Sequence, residues 1–187
     1  WGLTGTIPRE KFEFESIHAS LGPVIGQISA KELQDKGVLS QCHVNVVQLL
    51  DTQSHSDYQS ELKYLTTNQA RLEYIGKLLS TVKESGNTLI LVDRISAGEI
   101  LQELIPGSVF VKGDVKLKDR KEAYDEINEG TNHVVIATYG VAAVGINIPR
   151  IFNLVLLEPG KSFVRVIQSI GRGVRKAKDK DFVQIWD

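Results

Sequence analysis

The residues best suited to chemistry lie near the end of the 187-residue chain, where the sequence QSIGRGVR spans Gln168–Arg175. On a helix, the polar side chains of this region recur at intervals of three or four and share one side: Arg165, Gln168, Arg172 and Arg175. The other side is apolar: Phe163, Ile167, Ile170 and Val174. A guanidinium group donates two parallel hydrogen bonds to a phosphate and keeps its charge. The segment therefore predicts a phosphate-binding face whose arginines can stabilise a transferring phosphoryl group.

A second segment, residues 137–149, begins at the carboxyl end of a predicted strand. Open parallel sheets bind ligands at that edge. Thr138 offers a hydroxyl group there, and Gly140 and Gly145 allow a close approach to the backbone. A glycine-bearing loop after a strand is also typical of an ordinary turn, so a ligand loop and a turn are both open interpretations.

A third segment ends in Gly160-Lys161-Ser162, like a phosphate-binding P-loop. The P-loop also needs a glycine five positions before its second glycine, and this chain has Val155 there. We therefore expect no nucleotide P-loop. The histidines are scattered and none has ligand spacing with a cysteine or a carboxylate, so we expect no metal site; they are His18, His43, His55 and His133.

The elements that position these segments alternate between strand and helix from Leu89 onward. Short apolar runs predict buried parallel strands at 88–92, 109–111, 133–137, 153–157 and 182–185. Helices are predicted at about 96–104 and 116–128, from about 162, and along the apolar face that includes Leu72, Ile75, Leu78, Leu79 and Val82. Strands at 24–28 and 43–50, a helix at about 30–36 and a loop at 53–59 are predicted upstream. The pattern predicts an α/β fold, a parallel sheet with helices on both faces.

Composition limits the function classes. The chain is 42% hydrophobic and 24% charged with a net charge of −1, which is typical of a globular domain and excludes disordered, collagen-like and disulfide-scaffold chains. It has one cysteine and no run long enough for a membrane span. It contains no methionine, and we expect it to be a piece of a longer protein. Seven basic residues between 161 and 180 predict a local basic face: Lys161, Arg165, Arg172, Arg175, Lys176, Lys178 and Lys180.

The order of the segments resembles the C-terminal motor lobe of a superfamily 2 helicase of the XPB/UvsW-like group, above all the phage UvsW-type DNA helicases. GLTGT at residues 2–6 resembles motif III, and residues 21–25 and 32–39 are similar to the passage into the second lobe. Residues 89–94 resemble motif IV, and Lys112-Gly113-Asp114 with Arg120 resembles motif IVa. Residues 138–149 resemble motif V and Gln168–Arg175 motif VI. The resemblance implies that residues 1–23 end a first RecA-like lobe and that 24–187 form the second.

The resemblance also implies roles for single residues. Arg172 and Arg175 would reach the phosphates of ATP held on the other lobe, with Gln168 as a supporting polar contact. Gly145 and Asn147 would approach the ribose, and Asn147 stands where many relatives carry Asp.

Two further sets of roles follow from the same resemblance. Arg94, Thr138 and the backbone at Gly113 would contact nucleic-acid phosphates without reading sequence. Thr4 and Thr6 would couple the nucleotide state to movement of the lobes.

The function implied is an ATP-dependent DNA helicase or branch-migration translocase of recombination or repair, acting on branched or forked DNA in a bacterial or phage-infected cytoplasm. ATP and Mg²⁺ would be held mainly by the first lobe, because no complete P-loop and no DExH site occur here. We therefore expect this chain alone to hydrolyse no ATP. Two alternatives stay open: a non-catalytic nucleic-acid-binding module that acts by charge, and a small NTPase that uses Gly160-Lys161-Ser162.

Overall fold

Short apolar segments of the chain pair into one sheet. The structure, a computed structural model, describes residues 2–8, 10–113, 117–145, 148–157 and 163–187, without the side chains of 117–120, 123, 143–145 and 163–165. Within those residues the sheet has six strands, all parallel, in the order β1-β6-β5-β2-β4-β3. The strands are β1 Gln41–Asn45, β2 Thr88–Val92, β3 Val109–Val111, β4 Val134–Thr138, β5 Asn153–Leu156 and β6 Phe182–Trp186.

Eight α-helices and one 3₁₀ turn are found in the described part of the chain. They are α1 Lys11–Leu21, α2 Ala30–Asp35, α3 Tyr58–Thr67, α4 Gln69–Val82, the 3₁₀ turn Lys83–Ser85, α5 Ile95–Leu104, α6 Leu117–Glu129, α7 Tyr139–Gly145 and α8 Phe163–Gly173. None of the helices in this part is long and apolar enough to cross a membrane.

The core has two layers because side chains of a strand point alternately to the two faces of the sheet. Ile90 and Val92 of β2 pack with apolar residues of α4 and α5. Leu89 and Leu91 pack on the opposite face with residues of α6 and α7, and with Val166 and Ile170 of α8. This confirms the predicted parallel sheet with helices on both faces, and every residue of β2 is buried as its continuous apolar run requires.

Three predicted segments differ from the structure. No strand forms at 24–28, where Val24, Ile25 and Ile28 are exposed and have nothing to pack against. The strand predicted at 43–50 is β1, which stops at Asn45 because its partner Trp186 is the last residue of β6. The glycine-bearing segment after β4 is the helix α7 rather than a loop.

Helices α1 and α3 are absent from the predictions. Helix α3 begins inside the predicted loop because Asp57 accepts a hydrogen bond from the amide of Ser60, and the Ser60 side chain bonds back to Asp57. Helix α1 buries no residue at all, so no apolar face indicates its existence.

Candidate functional site

Three predicted nucleic-acid contacts lie at the carboxyl edge of the sheet. Arg94 follows β2, Gly113 follows β3 and Thr138 ends β4. These three strands are parallel neighbours, so their carboxyl ends meet at one edge. The structure therefore brings the three residues to the edge where open α/β sheets bind ligands.

The three residues differ in how their polar groups are used. Arg94 is half exposed, and its Nε lies 3.4 Å from Oδ2 of Asp93. Gly113 is exposed, and a Cβ placed on it would meet nothing within 4 Å, so no side chain covers this position. Thr138 is half buried, and its Oγ1 accepts a hydrogen bond of 3.4 Å from the amide of Val141 in the first turn of α7.

Of the two predicted finger residues, Arg172 lies in the last turn of α8 and Arg175 lies beyond the end of the helix. The helix ends at Gly173, so the prediction that Arg175 continues its polar face is wrong. The carbonyl of Val174, which a continuing helix would use internally, accepts instead from the amide of Ser40 at 2.9 Å. Arg175 forms an antiparallel bridge with Leu39.

The packed side of α8 also differs from the predicted one. Val166 and Ile170 pack on the core, and Ser169 and Val174 are buried. Ile167 is half buried, and the side chains of Phe163 and Arg165 lie outside the described part of the chain. Gln168 is exposed, as expected for a polar contact.

The two arginine side chains lie close enough to influence each other. Partial burial lowers the pKa of Arg172 from its ordinary value, and the positive charge of Arg175 lowers it further, whereas Tyr124 acts in the opposite direction. The guanidinium group of an arginine stays protonated in proteins, so Arg172 keeps its positive charge. Two like charges held near each other favour the binding of an anion such as a phosphate.

Sequence reasoning missed the residues that hold this arginine segment, by which we mean Arg172–Arg175. Ser40 is buried, and its Oγ donates to the carbonyl of Arg175 at 3.3 Å. Lys180, only 1% exposed, donates from Nζ to the carbonyls of Pro149, Gly173 and Arg175. Burial lowers the pKa of Lys180 to about 8, and Asp179 opposes that shift.

The predicted basic face is therefore only partly correct. Lys180 lies inside the molecule, and Lys176 forms an ion pair of 2.9 Å with Asp181. Lys178 is exposed. A lysine inside a run of basic residues carries no sequence signal that tells a buried one from an exposed one.

The arginine segment and the carboxyl edge lie at opposite ends of the sheet. A Cβ placed on Gly173 would lie 3.0 Å from Cδ2 of Leu154, near the amino end of β5. Pro149, whose carbonyl Lys180 contacts, comes before that strand. The predicted residues thus divide into two groups, and the structure does not gather them into one cluster.

The remaining predicted residues are placed as follows. Gly145 ends α7, whereas Asn147 and Gly160-Lys161-Ser162 lie outside the described residues. Thr4 and Thr6 form a local turn in the N-terminal segment, in which Thr4 Oγ1 donates to the Thr6 carbonyl at 2.7 Å and accepts from the Thr6 amide at 3.1 Å.

The structure also contains a cavity of about 860 Å³, and none of the predicted site residues lines it. Its walls are mostly apolar and come from residues 47–52, α3, α4 and the ends of β5 and β6. Among the described residues, no three His, Cys, Asp or Glu side chains come together as a metal site would require.

Known proteins resemble this chain in sequence. UvsW, the ATP-dependent DNA helicase of Enterobacteria phage T4, is 24% identical over all of this chain and 39% of its own length. The putative DNA 3′-5′ helicase Rad25 of Haloarcula marismortui is 27% identical over 97% of this chain and 30% of its own length. The chain thus spans less than half the length of either relative.

Solved structures resemble it in fold. The crystal structure of T4 UvsW superposes with a TM-score of 0.64 at 25% identity, over 80% of this chain and 32% of that one. A fragment of a putative HsdR subunit of a type I restriction enzyme from Vibrio vulnificus YJ016 superposes with a TM-score of 0.76 over 96% of this chain and 38% of that one. At 17% identity, that second likeness shows the fold alone.

These likenesses confirm the resemblance predicted from the motifs, and the six-stranded parallel sheet matches a helicase C-terminal RecA-like lobe. The sequence profile of the helicase conserved C-terminal domain matches residues 70–177, which is more than half of the chain. The chain belongs to the family of helicase conserved C-terminal domains and is related to the UvsW DNA helicase.

Proposed function

We propose that the chain is the second motor lobe of an ATP-dependent DNA helicase or translocase that acts in recombination, branch migration or repair. The observation that carries the proposal is the pair Arg172 and Arg175, held in one segment by contacts from Ser40 and Lys180. Arginine fingers stabilise the charge on a transferring phosphoryl group, and they act only when held in place. Membership of the helicase family supports this role.

In this proposal ATP and Mg²⁺ lie between this lobe and a first lobe that supplies the P-loop. Arg172 and Arg175 contact the γ-phosphate when the lobes close, and Gln168, which is exposed, supports them. Gly145 and Asn147 approach the ribose. The guanidinium groups of Arg172 and Arg175 lie close enough to influence each other, so together they can donate hydrogen bonds to a polyphosphate.

The DNA strand runs along the carboxyl edge of the sheet. Arg94 supplies a half-exposed guanidinium group, and Gly113 is an exposed position without a side chain that a phosphate can approach. Thr138 contributes its hydroxyl group from the end of β4. Contacts of this kind hold the backbone of DNA without selecting a sequence.

Residues 1–23 form the end of the first lobe in this proposal, and the second lobe starts at residue 24. Helix α1 buries none of its residues, and Leu3, Phe12 and Leu21 are more than half exposed. Apolar side chains exposed in this number favour a surface that packs on another domain. Thr4 and Thr6 would couple ATP state to lobe movement from that position.

The test compares two proteins. One joins this chain to a P-loop lobe as in the intact helicase, and the other is the 187-residue chain alone. We expect DNA-stimulated ATP hydrolysis by the first and none by the second. Hydrolysis by the chain alone that disappears on Lys161→Ala would overturn the proposal in favour of the small NTPase.

The same proteins test the other alternative, a module that binds nucleic acid by charge alone. That module predicts DNA binding with steep salt dependence and no effect of ATP in the intact protein. The buried Lys180 and the ion-paired Lys176 reduce the free positive charge of the predicted basic face, which favours the motor over this module. We expect ATP to change DNA affinity, and an affinity indifferent to ATP would contradict the motor proposal.

A further inference from the structure

The ammonium group of Lys180 is placed where two other stretches of chain meet, at Pro149 and in the arginine segment. It donates to the carbonyl of Pro149 at 3.1 Å, to that of Arg175 at 3.0 Å and to that of Gly173. An ammonium group has three hydrogens to donate, so every one of them is used. Buried lysines are uncommon unless their charge is satisfied in this way.

The three carbonyls belong to segments that the proposed function uses. Gly173 ends α8, and its carbonyl is one of the last four, which have no partner within the helix. Arg175 carries one of the two proposed arginine fingers. Pro149 follows the segment that contains Gly145 and Asn147, the residues proposed for the ribose.

The turn that carries Lys180 is itself fixed to the lobe. Ala177 and Lys180 form an antiparallel bridge, which closes the turn. Asp179 forms an ion pair of 2.8 Å with Arg150, and Arg150 also donates to the carbonyls of Asn128 and Gly130 at the end of α6. The position of Lys180 is therefore set by contacts outside the arginine segment.

The cation also suits the end of a helix electrostatically. The carboxyl end of a helix carries a partial negative charge, which a positive group in the last turn stabilises. A neutral amine would keep only two hydrogens and leave one carbonyl without a donor. The charge and the number of hydrogens thus both match this position.

From this geometry we infer that Lys180 is a positioning residue, which fixes the backbone of Gly173–Arg175 against Pro149 and so holds the two arginine fingers and the ribose segment in one relative geometry. This inference rests on the proposed function. Lys180 is buried and reaches only backbone carbonyls in the described part of the chain, so it acts through the arginines rather than on ATP itself.

The test uses the intact helicase and the variant Lys180→Met, which keeps a long unbranched side chain and loses the ammonium group. We expect kcat for DNA-stimulated ATP hydrolysis to fall about 10- to 100-fold, because a small displacement of a catalytic group has effects of that size. The KM for ATP should change by less than about threefold, since the fingers act in the transition state. Affinity for DNA should be unchanged.

The matched control is Lys178→Met, the same substitution two residues away at an exposed lysine. We expect its kcat to stay at the wild-type value. Equal losses in Lys178→Met and Lys180→Met would overturn the inference, as would a wild-type kcat in Lys180→Met. A rise in KM that accounts for the whole loss would also overturn it, because that would indicate ground-state binding.

A second variant covers the case in which Lys180→Met does not fold. Ser40→Ala removes only the hydrogen bond from Ser40 Oγ to the Arg175 carbonyl and its weaker one, 3.4 Å, to the Lys180 carbonyl. We expect a two- to fivefold loss of kcat with KM unchanged, and an unchanged kcat would then overturn the inference. If the wild-type protein hydrolysed no ATP, or if the Arg175→Ala variant stayed active, the proposed function itself would be contradicted. Failure of the proposed function can therefore be distinguished from failure of this inference.

Discussion

The two groups of candidate site residues are held in different ways. Arg94 and Gly113 follow β2 and β3 and Thr138 ends β4, and the side chains of Arg94 and Thr138 contact residues close by in sequence. The arginine segment is one continuous run held by Leu39, Ser40 and Lys180, which are distant from it in sequence or buried beneath it. The first arrangement is suited to separate contacts with successive phosphates of a flexible strand. The second is suited to holding a fixed geometry toward one reacting group.

The largest expected effect breaks the arginine segment itself. In the intact helicase, Arg175→Ala should lower kcat for ATP hydrolysis by about 10³-fold or more, because an arginine finger contributes 10³ to 10⁵. DNA affinity should stay within about twofold, since the proposed DNA contacts lie at the opposite edge of the sheet. Steady-state kinetics and fluorescence anisotropy with labelled DNA measure the two quantities. Turnover at the wild-type rate would contradict the finger assignment.

The next effect tests how closely α8 approaches the sheet. Gly173→Ala places a Cβ 3.0 Å from the buried Leu154 side chain, so it should lower the free energy of unfolding by about 1 to 3 kcal/mol. Gly171→Ala is the matched control on the same helix, because a Cβ there meets nothing within 4 Å. It should be neutral or stabilise by about 0.5 to 1 kcal/mol. Urea unfolding measures both, and equal effects would contradict the close approach.

A smaller effect is expected at the carboxyl edge. Arg94→Ala should weaken DNA binding about three- to tenfold and reduce the slope of log affinity against log salt by about 0.7 to 0.9. Lys77→Ala on the exposed side of α4 is the control, for which we expect no change. At saturating DNA, kcat should be unaffected. If Arg94→Ala lowered kcat as strongly as Arg175→Ala, the proposed difference in role between the carboxyl edge and the arginine segment would be contradicted.

The smallest effect is a pH dependence of stability. Burial lowers the pKa of folded Lys180 to about 8, below the value of about 10.4 for an unfolded lysine. Between these values the unfolded chain binds more protons, so the contribution of Lys180 to stability should rise with pH, by up to about 1 kcal/mol per unit. The free energy of unfolding is measured by urea at about pH 7.5 and 9.5 for the wild type and for Lys180→Met. The difference between the two proteins at each pH removes the contribution of other titrating groups. A difference between the two proteins that does not change with pH would contradict the prediction.

The central strands β2, β4 and β5 could be predicted from sequence because they are buried on both faces. A run such as Thr88–Val92 contains no polar alternation, and the structure buries every residue of it. The arginine segment could also be predicted, because Gln168–Arg175 combines glutamine, glycine and arginine residues at the spacing of a specific motif. In both cases the signal is local and repeats within a few residues.

The supports of the arginine segment could not be predicted, because they depend on contacts between distant residues. Ser40 is 135 positions from Arg175, whose carbonyl it contacts. Lys180 has four basic neighbours within the preceding nine residues, and only the fold makes it buried. The end of α8 could not be predicted for the same reason, since the Val174 carbonyl accepts a hydrogen bond from the amide of the distant Ser40.

The place of β1 in the sheet has a consequence for how the lobe is made. Gln41 pairs with Phe182, so the strand that comes first along the chain can join the sheet only through the strand that comes last. At a synthesis rate of about 5 to 20 residues per second, roughly ten seconds or more separate the two strands on a ribosome. During that time Leu39 and Ser40 have no partners in the arginine segment. The proposed ATP-contacting geometry is therefore among the last features to form, after β5, β2, β4 and β3 can already have paired.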